Sequence, residues 1–520
     1  MHLDRESCYR AVLARDARFD GQFFTAVLTT GVYCRPICPA RAPKLEHTVF
    51  YPSAAAAQSA GFRPCQRCRP ETFPETAAWR GTYGTVSRAL ALIAAGALDE
   101  DDMEGLAGRL GLGARQLRRL FARHIGASPK AVAATRRVHF AKRLITETAL
   151  PMTDVAMAAG FGSVRRFNDT FRKLYGRPPS RLRRGGTREG AGEDATALTL
   201  NLPYKPPYDW ATLIRFLAAR AIPGVERATE NFYARIISLA GATGTIVVHR
   251  GARPDCLTAA IRFPILHEMG HLIQRLRSLF DLGADPALIG AHLSADPGLA
   301  ARVARRPGLR VPGAWDGFEL GVRAILGQQI SVGAASSLAG RLVAAYGRAV
   351  GPIAEGEPAL AGLTHEFPAP ARIAEARDLA SVLGMPRARA AAIVALAEAA
   401  AADPRLFDPG RGLEESVARL TALPGIGEWT AQYIAMRALR EPDAFPATDI
   451  GLLRAAADEA ARPSPARLLA RAEAWRPWRA YAALHLWASD PVAPLDVREK
   501  RNEIVARPRE FADRDGSARL

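Results

Sequence analysis

LPGIGEWTAQYIAMRAL, residues 423–439, is the stretch on which the fold of this chain turns. Pro424 and two glycines, Gly425 and Gly427, make a hairpin too tight for bulky side chains, and a helix is expected to follow from about Trp429. Backbone amides at such a helix start can approach a DNA phosphate. Taken alone, the stretch is also an ordinary helix-loop-helix corner. Its surroundings add chemistry: FPATDIGLL (445–453) places Asp449 20 residues after Trp429, and WRPWRAYAALHLW (475–487) closes the region with aromatic side chains.

The 520-residue chain has room for about three or four domains, each able to bury a core. Its first residues, MHLDRESCYRAVLARDARFD, are charged and lack the apolar run of a secretory signal, and no stretch of about 20 apolar residues follows. A cytoplasmic protein that does not enter membranes is expected. The formal charge of +18 is unevenly spread. Between Arg109 and Arg184 stand 15 Arg and 3 Lys against Glu147, Asp154 and Asp169. A merely soluble surface would mix both signs, so this block reads as a nucleic-acid face.

An internal repeat lies inside the basic block. LAGRLGLGARQLRRLFARHIGASP (106–129) matches VAMAAGFGSVRRFNDTFRKLYGRPP (155–179), pairing Ala107 with Ala156, Gly111 with Gly160, Phe121 with Phe171 and Gly126 with Gly176. Each copy reads as a short helix, a glycine-bearing turn and a second, Arg-rich helix, the layout of a helix-turn-helix whose second helix enters the major groove. Residues 85–184 thereby resemble the paired helix-turn-helix domain of AraC-type transcription regulators. The resemblance makes Arg115, Arg118, Arg119, Arg165, Arg166 and Asn168 candidates for phosphate and base-edge contacts.

Six cysteines in a cytoplasmic chain are not expected to form disulfide staples. Cys34, Cys38, Cys65 and Cys68 form two close pairs, enough to close a tetrahedral zinc site, whereas Cys8 and Cys256 stand alone. By spacing alone this is a structural zinc knuckle. The flanking residues, TTGVYCRPICPAR (29–41) and AGFRPCQRC (60–68), resemble the N-terminal domain of Ada-type methylphosphotriester repair proteins over most of residues 1–72. That resemblance implies one Zn²⁺ on all four thiolates and Cys34 as acceptor of a methyl group from a methylated DNA phosphate. Four thiolates around Zn²⁺ carry a formal −2, and methylating one leaves −1, so alkylation would change DNA affinity. No Pro-Cys-His-Arg motif of the Ada guanine-alkyl transferase is present.

Beyond the Gly-rich stretch GGTREGAGEDAT (185–196), which reads as a linker, the segments 198–226, 306–331 and the hairpin region through Trp487 resemble helix-hairpin-helix DNA glycosylases of the AlkA type. The resemblance puts Asp449 on the catalytic aspartate, Trp429, Tyr433 and Trp487 in the aromatic base pocket, and Gly425, Gly427, Gln328 and Gln329 against DNA. Gln329 falls where the family carries a leucine wedge. Bifunctional relatives have a lysine nucleophile where this chain has Trp429, so a monofunctional enzyme that removes 3-methyladenine-type bases without strand cleavage is implied.

A competing signal is HEMGH, 267–271, the i,i+4 histidine pattern by which a helix holds catalytic zinc. Leu272, Leu276, Leu279 and Phe280 continue an apolar helical stripe, so both histidines are expected on one face of a surface helix, and no glutamate between Met269 and Gly317 offers a third ligand. A zinc metalloprotease is the remote alternative; a transcription regulator with a vestigial glycosylase is the main one.

The expected architecture is multidomain and mainly α: a small α/β zinc domain (1–76), an all-α paired helix-turn-helix domain (84–184), a linker (185–196), a small α/β domain with an antiparallel sheet (197–305), an all-α helix-hairpin-helix glycosylase core (306–490) and a charged tail (491–520). Expected partners are alkylated and operator double-stranded DNA and RNA polymerase, for a nucleoid-associated monomer in a bacterial cytoplasm.

Overall fold

The computed structural model describes residues 4–70, 84–100, 102–183, 197–351, 357–409, 411–457 and 462–489. The linker expected at 185–196 and the tail expected at 491–520 lie outside the described residues. The chain is multidomain and mainly helical, with two small sheets.

Residues 4–70 open with helix α1 (Arg5–Ala14), started by the Asp4 carboxylate accepting the Ser7 N–H. Cys8, Ala11 and Val12 pack it onto Phe23. Strands β1 (Phe24–Val27), β2 (Val32–Cys34) and β3 (Thr48–Tyr51), helix α2 (Ala54–Ser59) and strand β4 (Arg63–Pro64) follow. The sheet order is β3-β1-β2-β4, with β2 and β4 parallel and the other pairs antiparallel. Cys34 therefore ends β2 while Cys65 immediately follows β4, and parallel neighbours bring both cysteines to the same end of the sheet.

Next come α3 (Gly84–Ala94), α4 (Ala97–Glu100), α5 (Met103–Arg109), α6 (Ala114–Ile125), α7 (Pro129–Glu147), α8 (Met152–Ala158) and α9 (Val164–Tyr175). α5–α6 and α8–α9 are the two helix-turn-helix units. Gly111 and Gly160 sit at φ +68° and +77° in the turns, a backbone region open to glycine. α6 is capped by Gly113 and α9 by Ser163, so the residue by which the repeats differ in length lies in the turn. Phe121 and Phe171 are fully buried.

α7 joins the two units and also contacts residues 4–70 and the second sheet. Toward residues 4–70, its His139 Nε2 hydrogen-bonds the Tyr33 hydroxyl at 2.8 Å, and its Thr146 hydroxyl accepts from Arg69 at 3.2 Å. Ala55 and Ala56 of α2 belong to the same apolar core as α3, α5 and α6. At its other end α7 meets the second sheet: Arg143 donates to the Asn201 carbonyl, and the Asn201 N–H donates to Glu147 at 3.1 Å.

That sheet is formed by β5 (Ala197–Pro203), then, after α10 (Trp210–Ala219), by β6 (Glu226–Ala228), β7 (Phe232–Leu239), β8 (Ala242–Arg250) and β9 (Cys256–Arg262), antiparallel throughout in the order β5-β9-β8-β7-β6. α11 (Met269–Leu279) covers it. Val155, Phe167 and Phe171 share one continuous core with Leu200, Ile246, Ile261, Leu272 and Phe280. Burying these faces against each other removes apolar surface at about 25 cal/mol per Å².

The HEMGH segment differs from its sequence expectation. α11 begins at Met269, and His267 lies outside it on the 3₁₀ turn Leu266–Glu268, so the two histidines do not share a helical face. Met269 and Leu272 at the helix start are buried, and the apolar stripe through Leu276, Leu279 and Phe280 is buried as expected. His271 Nδ1 instead hydrogen-bonds Glu268 at 2.6 Å and packs against Gly96, where a Cβ would stand 2.1 Å from its Nε2. The would-be base and ligand are thus spent on each other at a contact between α11 and the α3–α4 turn.

The helical core contains α12 (Pro286–Leu293), α13 (Pro297–Arg305), α14 (Gly317–Leu326), α15 (Val332–Tyr346), α16 (Pro370–Ala374), α17 (Leu379–Leu383), α18 (Arg387–Ala402), α19 (Leu413–Thr421), α20 (Glu428–Arg437), α21 (Ile450–Ala455), α22 (Pro465–Ala472) and α23 (Arg479–Trp487). α14 runs through its middle, buried on nearly every side, and packs on α15, α18 and α20. Arg235 of β7 is buried against Glu319 of α14 at 2.7 Å and so joins sheet to helices. Burial pushes the Glu319 carboxyl up, but Arg235 and Arg323 outweigh it and bring it down to about 2. No described helix is long and apolar enough to cross a membrane.

Candidate active site and metal centre

α19, the 422–427 hairpin and α20 form the helix-hairpin-helix. Gly425 has φ +76°, and a Cβ there would lie 2.4 Å from Ala392 Cβ of α18, so both backbone and packing demand glycine. Gly427 precedes α20 with no side-chain cap, and nothing lies within 4 Å of where its Cβ would be. The first amides of α20 are therefore left to an external acceptor, the arrangement that binds a phosphate.

Three residues far apart in sequence converge beyond this hairpin. Asp449 caps α21, its Oδ1 accepting the Leu452 N–H at 2.9 Å. Trp487, the last residue of α23, donates its indole N–H to Oδ1 at 2.8 Å, and Trp429 of α20 donates to Oδ2 at 2.9 Å. Both carboxylate oxygens are thus fixed by N–H donors, which set the orientation of the carboxylate plane. Tyr433, one turn beyond Trp429, stacks on it with ring centroids 5.2 Å apart and planes 9° from parallel. All four side chains are half-buried, so each keeps a face open to solvent.

Sequence reasoning missed three residues around Tyr433. Arg437 donates to the Tyr433 hydroxyl at 2.5 Å while its remaining donors reach the Pro312 and Gly313 carbonyls. Phe216 of α10 and Arg220, the residue that follows the helix, complete the wall: the Arg220 guanidinium lies 3.7 Å above the Phe216 ring, and Arg437 lies 4.7 Å from it. Burial pushes the Tyr433 hydroxyl up, but Arg437 and Arg220 together bring it below the usual tyrosine value. Arg437 was legible as the i+4 neighbour of Tyr433; Phe216 and Arg220 carry no local signal.

Gln329 is exposed in the turn between α14 and α15 at φ +59°. Gln328, its neighbour, is turned inward and donates to the Gly425 carbonyl. In the basic block, Arg115, Arg118, Arg119, Arg165 and Arg166 are exposed on α6 and α9, whereas the Asn168 amide folds back onto the Val164 carbonyl at 3.0 Å.

Among the described residues, Cys34, Cys38, Cys65 and Cys68 are the group of His, Cys, Asp or Glu side chains close enough to share a metal: their Sγ atoms lie within 4.8 Å of one another. A tetrahedral ion with bonds of about 2.3 Å spaces its sulfurs about 3.8 Å apart, so the donor set fits Zn²⁺ with only a small contraction. Backbone N–H groups of Arg35 and Arg67 point at the Cys68 and Cys65 sulfurs, each at 3.4 Å, a distribution of donors suited to thiolates. Arg35 is itself fixed by an ion pair with Asp20. Cys8 and Cys256 are buried elsewhere; burial, with Asp4 nearby, pushes the Cys8 thiol up to about 11.

These two sites on this fold define a DNA-repair protein of the helix-hairpin-helix base-excision class, joined to a zinc-binding regulator. Four family profiles match in succession: the metal binding domain of Ada over residues 7–71, a helix-turn-helix domain over 106–185, the AlkA N-terminal domain over 199–316, and the HhH-GPD superfamily of base excision DNA repair proteins over 322–480. The chain is 44% identical over 505 residues, 96% of its length and 100% of the other's, to the probable bifunctional transcriptional activator/DNA repair enzyme AlkA of Mycobacterium tuberculosis (strain CDC 1551 / Oshkosh). It belongs to that AlkA family of bifunctional activator and repair proteins. Its C-terminal part is 34% identical over 297 residues to DNA-3-methyladenine glycosylase 2 of Escherichia coli (strain K12), covering 57% of this chain and 98% of that one. Its N-terminal part is 32% identical over 181 residues to the bifunctional activator and repair enzyme Ada of the same strain, covering 34% of this chain and 49% of that one. With the Ada family matched across the four cysteines, Zn²⁺ is the ion they hold.

Proposed function

We propose that residues 306–490 hydrolyse the N-glycosidic bond of alkylated purines of the 3-methyladenine type in double-stranded DNA, and that residues 1–76 and 84–184 report DNA methylation to transcription. The observation that carries the first part is the Asp449 carboxylate, fixed in place by two indole N–H groups and the Leu452 N–H beside a stacked aromatic pair.

The flipped base stacks on the electron-rich rings of Trp429, Tyr433 and Trp487; a cationic alkylated purine binds such faces well and leaves as a neutral molecule. As the C1′–N bond breaks, its electron pair goes to the base and positive charge builds on the sugar, where Asp449 stabilises it. Water then adds to C1′, and the proton it gives up passes to the surrounding solvent. Because its oxygens are already engaged by the indoles, Asp449 serves chiefly as a fixed counter-charge. Trp429→Ala removes both the stacking face and one Asp449 donor, so excision of charged purines should fall by roughly 1–3 kcal/mol of stacking alone, read as single-turnover base release. With tryptophan in place of an amine nucleophile, borohydride should trap no adduct. Incubating the purified protein with alkylated duplex DNA and identifying the released bases tests the reading; finding none would leave the regulator with a vestigial glycosylase.

For the sensor, Cys34 is the methyl acceptor. Bound zinc keeps the thiolates deprotonated; the Cys34 sulfur attacks the methyl carbon, the C–O bond to the phosphate breaks, and a thioether and a phosphodiester anion result. Loss of one negative charge near the DNA backbone strengthens operator binding through Arg115, Arg118, Arg119, Arg165, Arg166 and Asn168. After exposure to methylphosphotriester DNA, mass spectrometry should place the methyl on Cys34 and operator affinity should rise. A methyl on Cys8 or Cys256, or unchanged affinity, would overturn this. Gly425 and Gly427 grip the phosphate, and Gln328 and Gln329 form the wedge turn. The protein acts as a cytoplasmic, nucleoid-associated monomer with RNA polymerase as its transcriptional partner.

A further inference from the structure

We infer that Gln328 is a positioning residue: it locks the turn carrying the DNA wedge onto both the phosphate-gripping hairpin and the base-pocket helix, so that the three act as one rigid unit during base flipping. The inference rests on the glycosylase reading above.

Gly327 follows the end of α14, and Ser331 precedes α15, its hydroxyl capping that helix by accepting the Ala334 N–H. The two glutamines between them have opposite fates. Gln329 is exposed and held at φ +59°, a conformation that a residue other than glycine keeps only when its surroundings over-determine it. Gln328 supplies those surroundings. Its side-chain amide donates to the Gly425 carbonyl at 3.0 Å and to the Thr430 hydroxyl at 3.3 Å, while its main-chain carbonyl accepts from Arg389 at 2.8 Å.

Each partner belongs to a different part of the machinery. Gly425 is the positive-φ glycine of the hairpin, Thr430 is the buried neighbour of Trp429, and Arg389 is on α18, the helix whose Ala392 leaves no room for a side chain at Gly425. The amide thus spans wedge, hairpin and pocket, while the carbonyl ties the same turn to the scaffold behind them. Flipping a paired nucleotide requires the wedge to enter the duplex while the hairpin holds the phosphate and the pocket receives the base. Small misplacement among such groups is costly to rate. A base that is already unpaired makes no such demand on the wedge. The glutamine amide is suited to this position because it offers two N–H donors to two acceptors; a carboxylate of the same shape would face the Gly425 carbonyl without a donor.

Single-turnover excision separates this role from a merely structural one. The substrates are a duplex with 7-methylguanine opposite cytosine and the same strand with the lesion opposite an abasic-site analogue. Gln328→Ala should lose about tenfold on the paired lesion and less than about threefold on the unpaired one, with an unchanged melting temperature. Gln328→Glu should fall at least as far on the paired lesion. Equal losses on both substrates, or none on the paired one, would overturn the inference. If the wild-type protein released no base from either duplex, the glycosylase reading itself would fall, and the positioning role of Gln328 with it.

Discussion

Asp449→Asn should abolish release of 3-methyladenine while leaving binding to alkylated or abasic duplex largely intact. The substitution removes the negative charge that faces the sugar cation, and loss of such preorganised electrostatics costs about 3 kcal/mol or more, a rate fall beyond about a hundredfold. The geometry sharpens the expectation. Asp449 accepts one indole N–H on each oxygen. An asparagine offers one carbonyl oxygen and one NH₂ group, so one tryptophan is left facing a donor and the residual arrangement is disturbed as well. Folding should survive, because asparagine caps a helix as well as aspartate does and can still accept the Leu452 N–H. Single-turnover base release, with duplex binding measured in parallel, decides the matter; an Asp449→Asn protein as active as wild type would show that the catalytic residue lies elsewhere.

The second large effect concerns the metal. Cys65→Ser should lose the zinc and, with it, methyl acceptance and the ordered structure of residues 4–70. This segment has strands of two to four residues and two small apolar cores, too little to hold itself against chain entropy. Structural zinc supplies on the order of 10 kcal/mol to such sites. Cys65 is also a structural joint: its N–H donates to the Tyr33 carbonyl at 2.9 Å, and Tyr33 in turn reaches α7. Metal analysis should give one zinc per wild-type chain and per His267→Ala chain, and none for Cys65→Ser, with hydrogen exchange rising over residues 4–70 and glycosylase activity retained. Full zinc in Cys65→Ser together with zinc loss in His267→Ala would return HEMGH as the metal site.

Much of this was legible because the chemistry is written locally. A Pro-Gly-x-Gly hairpin, two cysteine pairs and a repeated helix-turn-helix each fit within a few tens of residues, and each depends on backbone freedom or ligand spacing that few residue types provide. Asp449 and Trp429 could be paired on resemblance. That both indoles would donate to opposite oxygens of one carboxylate could not be read, because Trp487 arrives from α23 through packing with no sequence periodicity linking it to Asp449. The one expectation for HEMGH that failed, a shared helical face for its two histidines, failed for the same reason in reverse: the spacing fits a helix, but α11 starts only at Met269, after His267, and the contact with Gly96 comes from a segment about 170 residues away.

By itself, then, the sequence determined the modules in this protein, their order, the zinc ligand set and the charge that drives them toward DNA, since each follows from residue types at short range. Tertiary structure decided how those modules are joined. The core that unites the second helix-turn-helix with the β5–β9 sheet, the α7 bonds to Tyr33, Arg69 and Asn201, the inward turn of Gln328 and the Phe216–Arg220 wall beside Tyr433 all rest on apolar faces and donors whose partners lie far along the chain. A local pattern specifies that such a face must be buried, but only the packed molecule determines against what.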